Sequence, residues 1–170
     1  MTRRSERTRQ KLQQAFEALL IEKPYESITM EEIALRAGRS RVTVYRHYDD
    51  KEALLLDCFG VVLEEIKDNV VYPKDTLHER APIVAYANLV MLFTNAAKHR
   101  ALYQALFTSS ASPNIRTLTR RVIAGVIINT MEQEGTLYQL SGPTDIVCSL
   151  LGELAVGALV WWLVSKSYHD

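Results

Sequence analysis

Between Arg39 and His47 the chain sets three guanidiniums, Arg39, Arg41 and Arg46, among the hydroxyls of Ser40, Thr43 and Tyr45. Guanidinium forks bind phosphate oxygens or the guanine edge through paired N–H donors, and hydroxyls serve either a phosphate or a base. Such groups read nucleic acid only when a rigid element presents them together. Other chemistries find no such gathering. His47, His78, His99 and His169 are scattered without metal-ligand spacing. No glycine-rich phosphate loop and no nucleophile elbow occurs, so the chain is expected to be neither an enzyme nor a cofactor or metal protein.

The residues around this stretch supply the positioning elements. Thr29 precedes the apolar Met30, Ile33 and Ala34, and Glu32 follows it by three, the pattern of a capping box. The helix it starts should stop at Ala37-Gly38, where glycine tolerates the left-handed conformation. Ser40 is placed to cap a second short helix, Arg41 to His47. Asp49 with Glu52 reads as a further capping box, opening a helix through Ala53, Leu54 and Leu55. Two short helices joined by a glycine turn are the way a helix-turn-helix offers a reading helix to the major groove.

This segment resembles the DNA-binding domain of the TetR family of bacterial transcriptional regulators. Thr29, Ile33, Ala34, Ala37-Gly38, Ser40, Thr43, Tyr45, His47-Tyr48, Lys51-Glu52 and Leu54-Leu55 carry the resemblance. With the first helix it covers roughly the first third of the chain. It implies that Tyr45, His47 and Lys51 grip phosphate. Thr29 offers its hydroxyl and backbone N–H groups to another phosphate. Thr43 can touch base edges and Arg41 can take guanine. Two positions depart from the family pattern: Arg39 replaces a small aliphatic residue, and Val42 stands where glycine is frequent. For Arg39 both a phosphate contact and a plain surface place remain open. Val42 should stiffen the reading helix and alter how closely its backbone approaches DNA.

Charge supports a division of labour. The chain has 20 Lys+Arg and 20 Asp+Glu. Residues 1–51 hold 11 Lys/Arg against 8 Asp/Glu, so the front end is net positive and the rest net negative by the same amount. Hydrophobic residues at 48% and charged at 24% are ordinary for a soluble globular protein. The charged start, without an apolar core, predicts no signal peptide and a cytoplasmic location. Cys58 and Cys148, far apart in apolar helical contexts, read as buried free thiols.

The remaining elements are expected to be helical, without strands or repeats. Leu12, Ala15, Phe16, Leu19 and Leu20 mark the buried face of a first helix, Ser5 to Glu22, ended by Pro24. Arg3, Arg4, Arg7 and Arg9 form a basic arm, either solvated or on DNA. A helix from Asp50 to Val70 follows and closes at Tyr72-Pro73. Thr76 and Glu79 signal the next, helical to Ala97, with Lys98-His99-Arg100 at its end. A short helix covers Ala101 to Phe107. Ser112-Pro113 opens one that Gly135 ends. Ser141-Gly142-Pro143 introduces the last, Thr144 to Ser165. Its apolar run of about 19 residues is near a bilayer's span, but Glu153 would cost about 3 kcal/mol there. A helix buried on nearly all sides, partly by a second subunit, accounts for it better.

The expected fold is therefore all-α: a three-helix DNA-binding domain over 1–48 and a helical dimerisation and effector domain over 49–170. The resemblance implies a homodimer built from the last two long helices, with Arg121, Ile128, Leu151, Ala155, Ala158 and Leu159 at the interface. It also implies a small-molecule effector pocket, with Tyr86, Met91, Phe93, His99, Tyr103, Phe107, Glu153, Trp161 and Trp162 as candidate lining. Glu153 could meet a cationic ligand, pair with Arg120 or Arg121, or lie at the interface. The function implied is a dimeric regulator on double-stranded operator DNA, a repressor released by ligand. The alternative is a TetR-like co-regulator whose second domain binds a protein partner.

Overall fold

The computed structural model describes residues 3–70, 81–108, 117–118, 121–122, 125, 128–129 and 143–165. These are helical, with no strand among the described residues. The helices are α1 (Arg3–Glu22), α2 (Met30–Arg36), α3 (Arg41–Tyr45), α4 (Lys51–Asn69), α5 (Ala81–Lys98), α6 (Arg100–Thr108) and α7 (Thr144–Val164). A short 3-10 turn, Tyr25–Ser27, follows Pro24. The expected stops at Tyr72-Pro73 and Gly135, the starts at Thr76 and Ser112-Pro113, and Arg120 lie outside the described residues. So does the side chain of Cys148.

The chain divides into two compact units. The first comprises Met1–Glu64 with His99–Ser112, the second Glu65–Lys98 with Pro113–Asp170. The division falls inside α4, and α6 belongs to the first unit.

In the first unit α1 buries the stripe read from its periodicity. Leu12 and Phe16 are fully buried, and Ala15, Leu19 and Leu20 nearly so. Ile33 of α2, Val44 of α3, and Leu54, Leu55, Cys58 and Phe59 of α4 complete the core. From α6, Tyr103 packs edge-on to Phe59 at 6.0 Å and stacks on Phe107 at 6.1 Å. Burial pushes the Cys58 thiol well above its usual range, so it stays protonated and inert.

The basic arm is not an arm. Helix α1 begins at Arg3, and Arg9 is drawn inward by Asp57. Asp57 accepts from Arg9 Nε at 2.9 Å, Gln13 Nε2 at 3.0 Å and the Tyr48 hydroxyl at 2.6 Å. One carboxylate thereby ties α1, the segment after α3 and α4 together.

In the second unit α7 buries Gly152, Val156, Leu159 and Leu163, a single stripe at helical spacing. Its opposite side is exposed: Leu150, Leu154, Trp161 and Val164. The expected burial on nearly all sides is thus not met within one chain. Glu153 is exposed too, so burial does not oblige its carboxylate to find a partner. Leu159, expected at a dimer interface, is fully buried within its own chain. No described helix is long and apolar enough to cross a membrane.

Candidate nucleic-acid interface

The turn that aims α3 is built from main-chain bonds. After α2, Gly38 N–H donates to Leu35 O at 3.1 Å and Arg39 N–H to Ala34 O at 2.9 Å. This pair of bonds is a Schellman ending, which needs a left-handed residue at Gly38. Gly38 has φ 61°, and no other described residue has a positive φ. A side chain there would be strained, so glycine sets the angle at which the chain leaves α2.

Both helices begin as the sequence implied. Glu32 N–H donates to Thr29 Oγ1 at 3.3 Å, and Thr29 N–H to Glu32 Oε2 at 2.9 Å. The Lys23 ammonium also holds Glu32. The Lys23 bond first, then those from Thr29, bring the Glu32 carboxyl down to about 2. Ser40 Oγ accepts from Thr43 N–H at 3.2 Å and lies 2.8 Å from the Thr43 hydroxyl. Helix α3 ends at Tyr45 rather than His47, with Arg46 as its cap. At the next helix Asp50, not Asp49, is the capping carboxylate. Its Oδ1 accepts from Ala53 N–H at 2.7 Å, so the expected Asp49–Glu52 box does not form.

Val44 and Tyr48 turn α3 inward, which leaves Ser40, Arg41, Val42, Tyr45 and Arg46 exposed, with Arg39, Thr43 and His47 half-buried. Arg41 Nη1 lies 2.7 Å from Glu31 Oε1, and its guanidinium stacks over the Tyr45 ring at 5.5 Å. The Tyr45 hydrogen bond and the Glu31 charge raise the Arg41 pKa further. An exposed pair of this kind is worth about 0–1 kcal/mol and opens readily for a stronger partner. Arg39 Nη1 folds back to Gly38 O at 3.0 Å. His47 leans against Tyr48 at 6.3 Å between ring centres.

Lys51 is placed differently from the phosphate grip implied by the resemblance. Its ammonium donates to Tyr25 O at 2.6 Å, Ile28 O at 2.8 Å and Glu26 O at 3.4 Å, and sits over the Tyr25 ring at 4.1 Å. Burial lowers its pKa. Its donors close carbonyls of the 3-10 turn and of its cap, Ile28. Burial, and next Glu52, push the Tyr25 phenol up to about 12.

The candidate effector residues are divided between the two units. Tyr86 and Met91 line an open groove of about 510 Å³ in the second unit, with Glu65, Asn69, Ala87, Val90, Thr94, Asn95 and Lys98. That volume is enough for a small organic ligand. Lys98 Nζ lies 2.8 Å from Glu65 Oε2 at the groove. Phe93 packs edge-on to Trp162 at 5.6 Å. His99, Tyr103 and Phe107 belong to the first unit, where Tyr103 and Phe107 are core. Trp161 and Glu153 are exposed. Of the remaining interface candidates, Arg121, Leu151 and Ala158 are exposed and Ile128 and Ala155 half-buried. No cluster able to hold a metal ion occurs among the described residues.

The architecture is a helix-turn-helix followed by further helices. Residues 14–58 match the family described as bacterial regulatory proteins, tetR family. The chain is 33% identical over 93 residues to the uncharacterized HTH-type transcriptional regulator YdeS of Bacillus subtilis (strain 168). That match spans 54% of this chain and 45% of YdeS, less than half of the relative's length. Over 99% of this chain and 90% of the other, the fold follows NalD of Pseudomonas aeruginosa, the secondary repressor of the MexAB-OprM multidrug efflux pump, at TM-score 0.71 and 18% identity. A tetR-family transcriptional regulator from Streptomyces coelicolor gives TM-score 0.68 at 19% identity, over 94% and 73% of the two chains. The resemblance read from the sequence holds: the chain carries the TetR-family regulatory domain, in an all-helical TetR-like fold.

Proposed function

We propose that this protein is a cytoplasmic, dimeric transcriptional repressor that binds operator DNA through α2 and α3 and lets go when a small ligand binds its second unit. The observation that carries the DNA part is the α2–α3 unit itself. Gly38 and two capped helices hold Arg41 and Arg46 exposed and Thr43 half-buried on a domain that matches the tetR family. Arg46 and Arg39 neutralise phosphates, while Arg41 leaves Glu31 to take a guanine edge. A homodimer would bring two reading helices to successive major-groove faces of a pseudo-palindromic site.

The dimer part is supported by the exposed apolar side of α7, which a second copy would cover. The ligand part is supported by the groove between α4 and α5, since α4 runs from that groove back into the DNA-binding unit. A ligand acts here only through unequal affinity for the DNA-competent and released states. Tenfold release requires about 1.4 kcal/mol of such coupling. The repressor role follows the fold likeness to NalD.

Selection of bound sequences from a random duplex pool at physiological salt tests this reading. Enrichment of a two-fold-symmetric site is the expected result, and its recovery supplies the probe for ligand screening. A folded dimer that enriches no sequence overturns it.

A further inference from the structure

Successive side chains on an α-helix are about 100° apart, so residues two apart lie on opposite sides. On α3 Val44 is fully buried, and Val42, two residues earlier, is 77% exposed. Exposure alone distinguishes nothing here, because Ile21 and Leu35 stand out equally far. The setting of Val42 does. It sits on the outward side of the reading helix, between the exposed Arg41 and Arg46.

In the free protein Arg41 lies 2.7 Å from Glu31, and the hydroxyls of Ser40 and Thr43 lie 2.8 Å from each other, while Arg46, one turn on, is exposed. Beside these polar groups the outward side carries one branched apolar side chain, Val42. Its stiff, single preferred rotamer means little freedom is lost when it is seated. In the major groove the apolar feature of a base edge is the thymine 5-methyl group. Glycine, frequent at this position in the resembled family, has no side chain with which to meet it.

We propose that Val42 is a specificity-determining residue that reads a thymine 5-methyl group in each operator half-site. The inference rests on the DNA-binding reading above and adds to it the identity of a base. It adds a base contact to the sequence-based expectation that Val42 stiffens the helix and alters how closely its backbone approaches DNA.

Deoxyuridine differs from thymidine by that methyl alone, so it provides the test. With the full chain and its selected operator, each thymine is replaced singly by deoxyuridine and Kd is measured. At one thymine per half-site the replacement should weaken binding about fourfold, the worth of one buried methyl group. Val42→Ser and Val42→Gly should bind the thymine and deoxyuridine operators equally. Where the glycine variant fails to fold, the serine variant decides. Equal binding of every deoxyuridine operator by the parent overturns the inference and leaves operator binding standing. A thymine preference that survives in the folded Val42→Ser variant does the same. Failure to enrich any sequence overturns the inference together with the DNA-binding reading.

Discussion

The two units handle their apolar residues in opposite ways. The first closes its core within one chain: Phe16, Ile33, Val44, Leu54 and Leu55 are at most a trace exposed. Its polar groups are also tied down, with Asp57 accepting from three side chains and Lys51 closing a turn. The second leaves α7 half-covered, with Leu154 at 68% and Trp161 at 60% exposure. A rigid reading head and an incompletely covered body suit different tasks. The head must hold side chains in fixed geometry, whereas the body must still meet something else.

The sharpest way to break the comparison is to attack each unit at its own strength. Phe16→Ala should remove about 3–5 kcal/mol from unfolding stability by opening a cavity at the centre of the head. Denaturant titration measures it, and a loss under 1 kcal/mol would show that this core is not closed as described. Leu154→Arg should leave the monomer folded but abolish self-association, read by sedimentation. Loss of the second reading helix should then weaken operator binding by about 100-fold or more. A variant that stays dimeric and binds DNA normally would detach α7 from assembly.

Lys51 sharpens the comparison inside the head. Lys51→Met leaves the carbonyls of Tyr25 and Ile28 without their donor and should cost about 1–3 kcal/mol of stability. The salt dependence of DNA binding should stay unchanged. A slope smaller by about one, with stability intact, would return Lys51 to the phosphate.

The smallest effects concern the cap of α2. Thr29→Ala should cost about 1 kcal/mol in thermal or denaturant unfolding. Glu32 titrates near 2 in the folded protein against an ordinary 4.5. A depressed carboxyl stabilises above its unfolded pKa and ceases to do so as pH falls through the folded one. Melting temperature should therefore drop between about pH 4.5 and 2. In Glu32→Gln that part of the drop should be missing. An identical acid profile for the two proteins would remove Glu32 from the linkage.

Much of the head was legible because its signals are local. Capping at Thr29 and Ser40, the glycine at 38 and the stripe from Leu12 to Leu20 each follow from residues within a turn or two. Where local signals compete, sequence reading slipped by a residue: Asp49 and Asp50 both suit a cap, and geometry selects Asp50. The arginines at the start of α1 look alike in sequence, yet of these Arg9 is the one bonded to Asp57, 48 positions away. Nothing local distinguishes that partner. Nor does local sequence show which unit each effector candidate joins. Tyr103 and Phe107 are aromatic like Tyr86, and only packing assigns the first two to the core of the head and the third to a groove.

By itself the sequence determined the first helices, the caps at Thr29 and Ser40, the Gly38 turn and the family match of residues 14–58. Hydrogen-bond closure and helical periodicity act over a few residues and are written in residue order. Tertiary structure alone decided that Lys51 closes a turn and that Leu159 faces inward while Leu154 faces out. It also left Val42 exposed while Val44, two residues on, is buried. Each of these depends on which surfaces meet across long stretches of chain, and apolar burial is blind to sequence distance.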